Sequence, residues 1–366
     1  MLPGTNTNVM SETLLDPALF VCPAPIAVRD RIVLGHGSGG RLGANLLRDV
    51  FFPLFSNPVL DRQDDQAILQ FGGEQLAFTT DSFVVRPLFF PGGDIGSLAI
   101  HGTINDLAMG GATPLYLSAA FIIEEGFPME TLQRVAASMA DAAAAAGVSI
   151  VTGDTKVVER GKGDGVFINT TGIGMVRQGI RLSANQARPG DIVILSGSIG
   201  DHGTAIMASR EGLEFETTIV SDSAPLHGLV ADMLDALSPN SPGLRCLRDP
   251  TRGGLSATLN EIAAQSKVSI EIVEKNIPVR DEVRGACELL GLDPLYVANE
   301  GKLVAIVAPE AVCDVLAAMR RNPLGEDAAA IGVVGSRHAG LVTMRTPFGS
   351  TRIVDLLPGD QLPRIC

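Results

Sequence analysis

Between residues 183 and 191 the chain reads "SANQARPGD", polar, turn-rich and without an apolar period. Pro189 and Gly190 side by side punctuate the chain, and the patterns on either side of them repeat. Upstream, β-type runs at "AILQF" (67–71), "QLAFTTD" (75–81), Leu115–Ile123, "VSIVTGD" (148–154) and "GVFINTTGIGMV" (165–176) alternate with helical spacing over Asp94–Met109 and Met129–Ala146. Downstream, "IVILSG" (192–197) restarts the series and leads into a glycine loop, "SIGDHG" (198–203). Helices are expected at 204–212, 223–237, after "RDPTRGG" (248–254) and over 310–321, with strands at about 268–273 and 302–308. The doubling predicts an α+β protein of two domains, 31–178 and 185–340, each with β-runs separated by long helices. Residues 1–30, rich in Pro, Thr and Asn, read as a mobile lead-in, and 341–366 as a Pro-punctuated tail.

Composition narrows the function classes. With 366 residues and 46% hydrophobic content the chain can fill two cores. No apolar run approaches the ~20 residues that cross a bilayer, and no Lys or Arg precedes Arg29, so neither a membrane span nor a signal peptide is expected. A cytoplasmic protein with reduced cysteines is the expectation, because Cys22, Cys246, Cys287, Cys313 and Cys366 show no C-x-x-C spacing. The net charge of −13 argues against a nucleic-acid surface, which needs a basic stripe. It leaves nucleotide binding open, where carboxylates, one divalent ion and backbone amides suffice.

Five features carry chemistry, one of them a series of acids spread along the first domain. "GHGSGG" (35–40), after the β-type run "RIVL" and before the helical spacing of "ANLLRDVFFPLF" (44–55), can turn backbone N–H groups onto a phosphate or form a plain tight turn. It is not a Walker A loop. Acidic residues recur where elements end: Asp64 and Asp65 in "DRQDDQA", Asp81 in "TTDS", Asp106 in "IND" and Asp154 in "TGDT". Any one of them alone reads as a turn or cap residue; five in one domain point to Mg²⁺, which shares one or two carboxylates with nucleotide phosphates. His101 lies one turn before Asn105 on the same helix and reads first as a core histidine. Lys156, two residues past Asp154, can grip a phosphoryl or carbonyl oxygen, or sit solvated at a loop mouth. "RDPTRGGL" (248–255) precedes a helix. In "VANEGKLV" (297–304), Asn299, Glu300 and Lys302 interrupt two apolar runs, and Glu300 is either a hairpin residue or a general base with a raised pKa.

The glycine loop, "DDQA", "TTDS", "INDLAMGGA" and "TGDTKVV", in that order, resemble the PurM-like ATP-binding superfamily of aminoimidazole ribonucleotide synthetase, selenophosphate synthetase and thiamine-monophosphate kinase. "GHGSGG", "DTKVVERG", "DPTRGG", "NEGKL" and the terminal "PRIC" resemble that superfamily's HypE family of hydrogenase maturation proteins, over about Ile32–Cys366. The resemblance implies a two-domain PurM-like fold and a homodimer paired through its N-terminal sheets. It further implies ATP at Gly37, Ser38, Gly39, Gly40, Asn105 and the four aspartates, and Mg²⁺ on Asp65, Asp81, Asp106 and Asp154, with Asp64 the weaker of its pair. Lys156 would orient the carbamoyl oxygen or the transferring phosphoryl group, and Glu300 would take the amide proton. Cys366 would receive a carbamoyl group from the carbamoyltransferase HypF. ATP-driven dehydration would give a thiocyanate, and its cyanide would pass to iron held by HypC and HypD.

The end of the chain suits such a carrier. Five cysteines in 366 residues make a terminal one by chance a roughly one-in-seventy event (5 of 366), and a prenylation signal needs its cysteine three residues further in. The ten residues Leu357–Cys366 can span up to ~33 Å, and Pro358 and Pro363 favour extension. Two other functions compete: a small-molecule kinase or synthetase of the thiamine-monophosphate kinase type, and a nucleotide-sensing scaffold whose tail only docks a partner. Selenophosphate synthetase fits less well, because "GHGSGG" lacks the reactive Cys or Sec of that family.

Overall fold

A computed structural model of the protein describes residues 31–210, 218–237, 243–357, 359 and 365. The expected lead-in at 1–30, Cys22 and Cys366 itself lie outside the described residues. Two α+β halves are present, and residues 33–366 pack as one compact unit.

Among the described residues the main sheet of the first half has five strands: β1 (Ala67–Phe71), β2 (Glu74–Phe83), β3 (Ala112–Glu124), β4 (Ser149–Val158) and β5 (Val166–Val176). Their spatial order is β1–β2–β5–β3–β4, antiparallel except for the β3–β4 pair. A hairpin joins β1 to β2 through Gly72 and Gly73, whose φ of +61° and +96° is the left-handed backbone a two-residue turn requires. One face of this sheet carries helix α1 (Ile95–Met109), with α2 (Met129–Ala145) beside it. Asp94 caps α1 by accepting from Gly96 N at 2.6 Å and Ser97 N at 3.1 Å, while Ser97 Oγ accepts from Asp94 N. Unlike a surface helix, α1 is apolar nearly all round: Ile95, Leu98, Ile100, Ile104 and Leu107 are all fully buried. It is the central layer, with the first sheet on one side and the second half on the other.

Among the described residues the second half has a seven-stranded sheet: β6 (Ile192–Leu195), β7 (Leu244–Arg248), β8 (Ser269–Val273), β9 (Val304–Val307), β10 (Ala329–Gly335), β11 (Val342–Arg345) and β12 (Thr351–Ile353). They run in the order β12–β11–β8–β10–β6–β9–β7. The central strands read as continuous Val/Ile/Leu runs because both faces are covered: every residue of β9 is fully buried. Among the described residues five α-helices complete this half: α3 (Asp201–Ala208), α4 (His227–Asp235), α5 (Gly254–Ser266), α6 (Asp281–Leu290) and α7 (Val312–Arg321). No helix among the described residues is long and apolar enough to cross a membrane.

Three local expectations need correction. "RIVL" forms no strand; residues Leu34–Gly37 make a 3₁₀ turn directly before Arg41–Leu46, which continues helically through a π-turn to Phe55. Asp81 and Asp154 lie inside β2 and β4 rather than beyond their ends, because both strands run on for two or more residues past the apolar stretch. β7, β10 and α6 stand where no element was expected, and the second sheet runs on past 340 through β11 and β12 into the stretch expected as a tail.

The halves are joined by a side chain of α1. Asn105, 1% exposed, donates from Nδ2 to Ala224 O and Glu300 O, each at 3.1 Å, and accepts at Oδ1 from Leu226 N at 2.7 Å. Asn105→Ala strands three backbone groups at the seam, so chemical denaturation should show a loss of roughly 2–4 kcal/mol. A loss below about 0.5 kcal/mol would mean that the seam does not depend on this amide.

Candidate active site

At the seam, β2 and α1 of the first half meet the loops after β7 and before β9 of the second. Carboxylates converge there. Asp81, on β2, and Asp106, on α1, face each other across the sheet–helix layer, and Thr79 Oγ1 donates to Asp106 Oδ2 at 2.7 Å. Asp65 lies just before β1 and Asp249 just after β7. Burial pushes the Asp106 carboxyl well above its usual range, and the negative charges of Asp81, Asp249 and Asp65 push it further. Asp65 is likewise raised well above, and Asp249 is raised to about 6, both chiefly by burial. Burial raises Asp81 as well, with Arg252 opposing.

Arg248 supplies the main counter-charge. Its guanidinium, 8% exposed at the side chain, is ion-paired with Asp65 Oδ1 and, at 2.7 Å, with Glu261 Oε2. Asp65 Oδ2 is buried and has no hydrogen-bond partner among the described residues.

The glycine loop closes over the same place. Gly39 has φ +72°, and a Cβ there would lie 2.5 Å from the Arg252 carbonyl oxygen, so only glycine lets the loop rest on "RDPTRGG". A Cβ on Gly40 would lie 2.7 Å from Leu357 O, and Arg41 N donates to that same oxygen at 2.8 Å. Gly37–Gly40 thus lies between the "RDPTRGG" loop and the start of the tail. It is a run of small residues packed on the loop that carries Asp249 and Arg252, and backbone N–H groups with carboxylates are the donor chemistry of a hard divalent cation with phosphate. Among the described residues no group of three or more His, Cys, Asp or Glu side chains is gathered as a ready-made metal site. Mg²⁺ bound through one or two carboxylates and phosphate oxygens does not need one.

Glu300 stands beside this cluster. It is 2% exposed, and its Oε1 has no hydrogen-bond partner among the described residues. Burial, then the charges of Asp249, Asp222 and Asp81, holds its carboxyl well above the usual range. Its backbone is pinned on both sides: the N–H donates to Asp222 Oδ1 at 3.1 Å, and the carbonyl accepts from Asn105. Lys302 Nζ lies 3.3 Å from Asp222 Oδ2. Asn299 fixes the preceding turn by accepting from Gly200 N at 2.7 Å and donating to Pro250 O and Val297 O.

The end of the chain reaches the same region. Ile365 is buried, 5% exposed, within the apolar cluster that contains Phe90, Ala205, Ile206 and Val297. Its carbonyl oxygen lies 2.6 Å from His202 Nε2, and His202 Nδ1 lies 2.8 Å from Ser221 Oγ. Ser221 and Asp222 are consecutive, so one short segment holds both the anchor of the tail and the backbone of Glu300. Cys366, the next residue along the chain, is outside the described residues.

The expected site residues therefore divide. The structure brings Asp65, Asp81, Asp106 and Glu300 together around Asp249, and Gly39 of the loop Gly37, Ser38, Gly39 and Gly40 rests on Arg252, three residues along from Asp249. Asn105 is at the seam, but its amide is committed to three backbone groups and is not free to hold a nucleotide. Asp154 and Lys156 are elsewhere. Register pairs Asp81 with Thr170, Thr170 with Ala119 and Ala119 with Gly153, so Asp154 falls on the opposite face of the sheet, with Ala120, Asn169 and Ser82. There Lys156 Nζ pairs with Asp154 Oδ2 at 2.7 Å in solvent, and this hydrogen bond holds the Asp154 carboxyl below its usual range. Within one chain these two cannot join the cluster. Asp64 accepts from Ser183 Oγ at 2.8 Å and Ala184 N at 3.0 Å, capping the interdomain connection. His101 faces Ser223 Oγ at 3.0 Å, and burial lowers its imidazole to about 4, as befits a core histidine.

Asp249, Arg248 and Arg252 were visible only as a motif without roles. Asp222 and His202 had no signal beyond their places in a loop.

Matches to known proteins agree with this architecture. Residues 63–176 match the N-terminal domain of AIR synthase related proteins, and 188–344 match the C-terminal domain. The chain is 60% identical over 336 residues to carbamoyl dehydratase HypE of Rhizobium leguminosarum bv. viciae, covering 92% of this chain and 95% of that one. The structure of a HypE–HypF complex contains a chain 49% identical with a TM-score of 0.80, covering 85% of this chain and 99% of that chain. A HypE structure in complex with ATP is 50% identical, with a TM-score of 0.76, covering 92% of this chain and 100% of that chain. The class is thus the two-domain AIR synthase related fold with its acidic site at the domain seam. Within that class, the chain belongs to the HypE family of carbamoyl dehydratases.

The electrostatics of the seam can be tested apart from activity. Arg248→Met leaves Asp65 buried without its partner and should cost about 3–5 kcal/mol in unfolding free energy. Adding Asp65→Asn to it should restore part of that loss. A double variant no more stable than the single one would show that Arg248 acts through packing alone.

Proposed function

We propose that this chain uses ATP to dehydrate an S-carbamoyl group carried on its own Cys366, giving a thiocyanate whose cyanide serves the iron of [NiFe]-hydrogenase. The observation that carries this reading is the docked end of the chain: Ile365 is held at His202, and His202 rests on Ser221, next to the Asp222 that holds the Glu300 backbone. Carrying the substrate on the protein's own terminus makes the step effectively intramolecular.

The chemistry converts S–C(=O)–NH₂ and ATP to S–C≡N, ADP, hydrogen phosphate and a proton: the carbon–oxygen bond breaks with the oxygen leaving on phosphate, and of the two protons lost from nitrogen one ends on the phosphate and one in solvent. When bound, ATP supplies the phosphoryl group that makes the carbamoyl oxygen a leaving group. Gly37–Gly40 would fold over its phosphates, and Asp65, Asp81 and Asp106 would hold Mg²⁺ against them. Glu300, on the tail's side of that cluster, takes a proton from the carbamoyl nitrogen; its raised pKa makes it, once ionised, a stronger base than a solvated glutamate. HypF is the source of the carbamoyl group, and an iron scaffold of HypC and HypD is its destination. The setting is the cytoplasm.

Asp154 and Lys156 enter this scheme through a second copy of the chain. The face of the first sheet opposite α1 carries Phe78, Tyr116 and Ile122, 42%, 48% and 46% exposed, on the same side as the two polar residues, with Ile122 directly opposite Lys156. Pairing two such faces covers the aromatic and aliphatic groups, and the place of Asp154 and Lys156 on the edge strand β4 lets them reach round the rim of the partner's sheet to its site. There Lys156 orients the carbamoyl oxygen or the transferring phosphoryl group, and Asp154 joins the metal and nucleotide ligands.

Two measurements test the proposal. Glu300→Gln should bind ATP as the parent does and lose at least about 10²-fold in thiocyanate formation; an unchanged rate would place the base elsewhere. Lys156→Ala and Glu300→Gln should each be inactive alone, whereas chains co-expressed and randomly mixed should recover about a quarter of the parent rate, since half the dimers then hold one intact site. No recovery would confine Lys156 to its own chain's site or to none.

A further inference from the structure

We propose that His202 and Ser221 form a latch whose task is to position the tail tip, with His202 a positioning residue for the dehydration. This rests on the reading that Cys366 carries the substrate. The proton placement follows from the partners. A backbone carbonyl only accepts, so the 2.6 Å contact between His202 Nε2 and Ile365 O requires the proton on Nε2. In a neutral ring Nδ1 is then an acceptor, and Ser221 Oγ, 2.8 Å away, must donate to it. Ser221 is free to do so because its oxygen accepts from Ser223 N at 3.1 Å, which leaves its own proton for the ring. Ser221 thus selects the tautomer that grips the tail.

The latch is built rigidly. His202 is fully buried, with the edge of its ring against Phe90 at 5.6 Å and 89°. Burial lowers its pKa, which favours the neutral ring. The Ser221 backbone is locked by Ser221 N donating to Pro91 O at 2.8 Å, and a Cβ on Gly92 would lie 2.8 Å from both Ser221 N and Ser221 O. Beyond this hydrogen bond, the described end of the tail is held by the apolar side chain of Ile365. At Ile365 itself, one hydrogen bond and one apolar side chain are strong enough to place a tip and weak enough to release it to a partner.

The test is the rate at which iodoacetamide alkylates Cys366 in the full-length protein, read by peptide mass spectrometry without ATP or a carbamoyl donor. A reagent reaches a thiol next to a buried anchor chiefly when the anchor lets go. His202→Phe keeps volume and the Phe90 contact but removes the donor, and should raise the rate about 2- to 12-fold, the population shift of one net hydrogen bond. His202→Gln, whose amide nitrogen can stand near the Nε2 position, should stay within about twofold of the parent. Ser221→Ala, which keeps the ring but frees its tautomer, should fall between them and also serves if His202→Phe does not fold. The dehydration rate should drop in the same order, with ATP affinity unchanged. Equal alkylation in the parent, His202→Phe and Ser221→Ala would overturn the latch, as would His202→Gln behaving like His202→Phe. Because alkylation involves no dehydration chemistry, ordered alkylation rates without any thiocyanate would uphold the latch and refute the carrier reading instead.

Discussion

Everything at the site depends on how α1 is buried. A helix with apolar groups all round can be covered on both sides only if a second layer is laid over it, and the second half of the chain is that layer. Burial of Asn105 in that seam obliges its amide to find partners, and it finds them on the backbone at 224, 226 and 300. The same hydrogen bonds set the position of Glu300 relative to Asp81 and Asp106. Packing and catalytic geometry are therefore one constraint, carried by an asparagine that makes no chemistry of its own.

Electrostatics give the seam its character. Asp65, Asp81, Asp106, Asp249 and Glu300 are drawn together where water is scarce, and all five carboxyls are shifted upward, by burial first and in most by one another. Arg248 offsets part of that repulsion at Asp65 and Arg252 part of it at Asp81 and Glu300. Folding tolerates such a concentration because it is spread over both halves and fastened by the surrounding backbone. A divalent cation and the N–H groups of the glycine loop are the complement such a cluster calls for.

Much of this was legible in the sequence. Period-2 and period-3.6 patterns located most strands and helices, because those elements bury one face or both. The break at Pro189–Gly190 marked the restart. Asp65, Asp81, Asp106 and Glu300 stood out as acids beside apolar runs. What stayed hidden was non-local. That Asp154 faces away from Asp81 follows only from the register across β2, β5, β3 and β4, which no local pattern reveals. The role of Asn105 in the seam depends on loops more than a hundred residues away. His202 looked like a loop residue after a strand, and only the return of Ile365 to it discloses a use. "RDPTRGG" was noticed without roles, since pairing Arg248 with Asp65 needs the two halves already assembled.

The central claim is that the terminal cysteine carries the group that is dehydrated. Intact mass spectrometry of the HypF-loaded protein, before and after ATP, tests it most directly. The account predicts a carbamoyl adduct on Cys366 that loses the mass of one water when ATP is added, and no adduct in the Cys366→Ser chain. An adduct that forms on another cysteine, or one on Cys366 that ATP leaves unchanged, would contradict it.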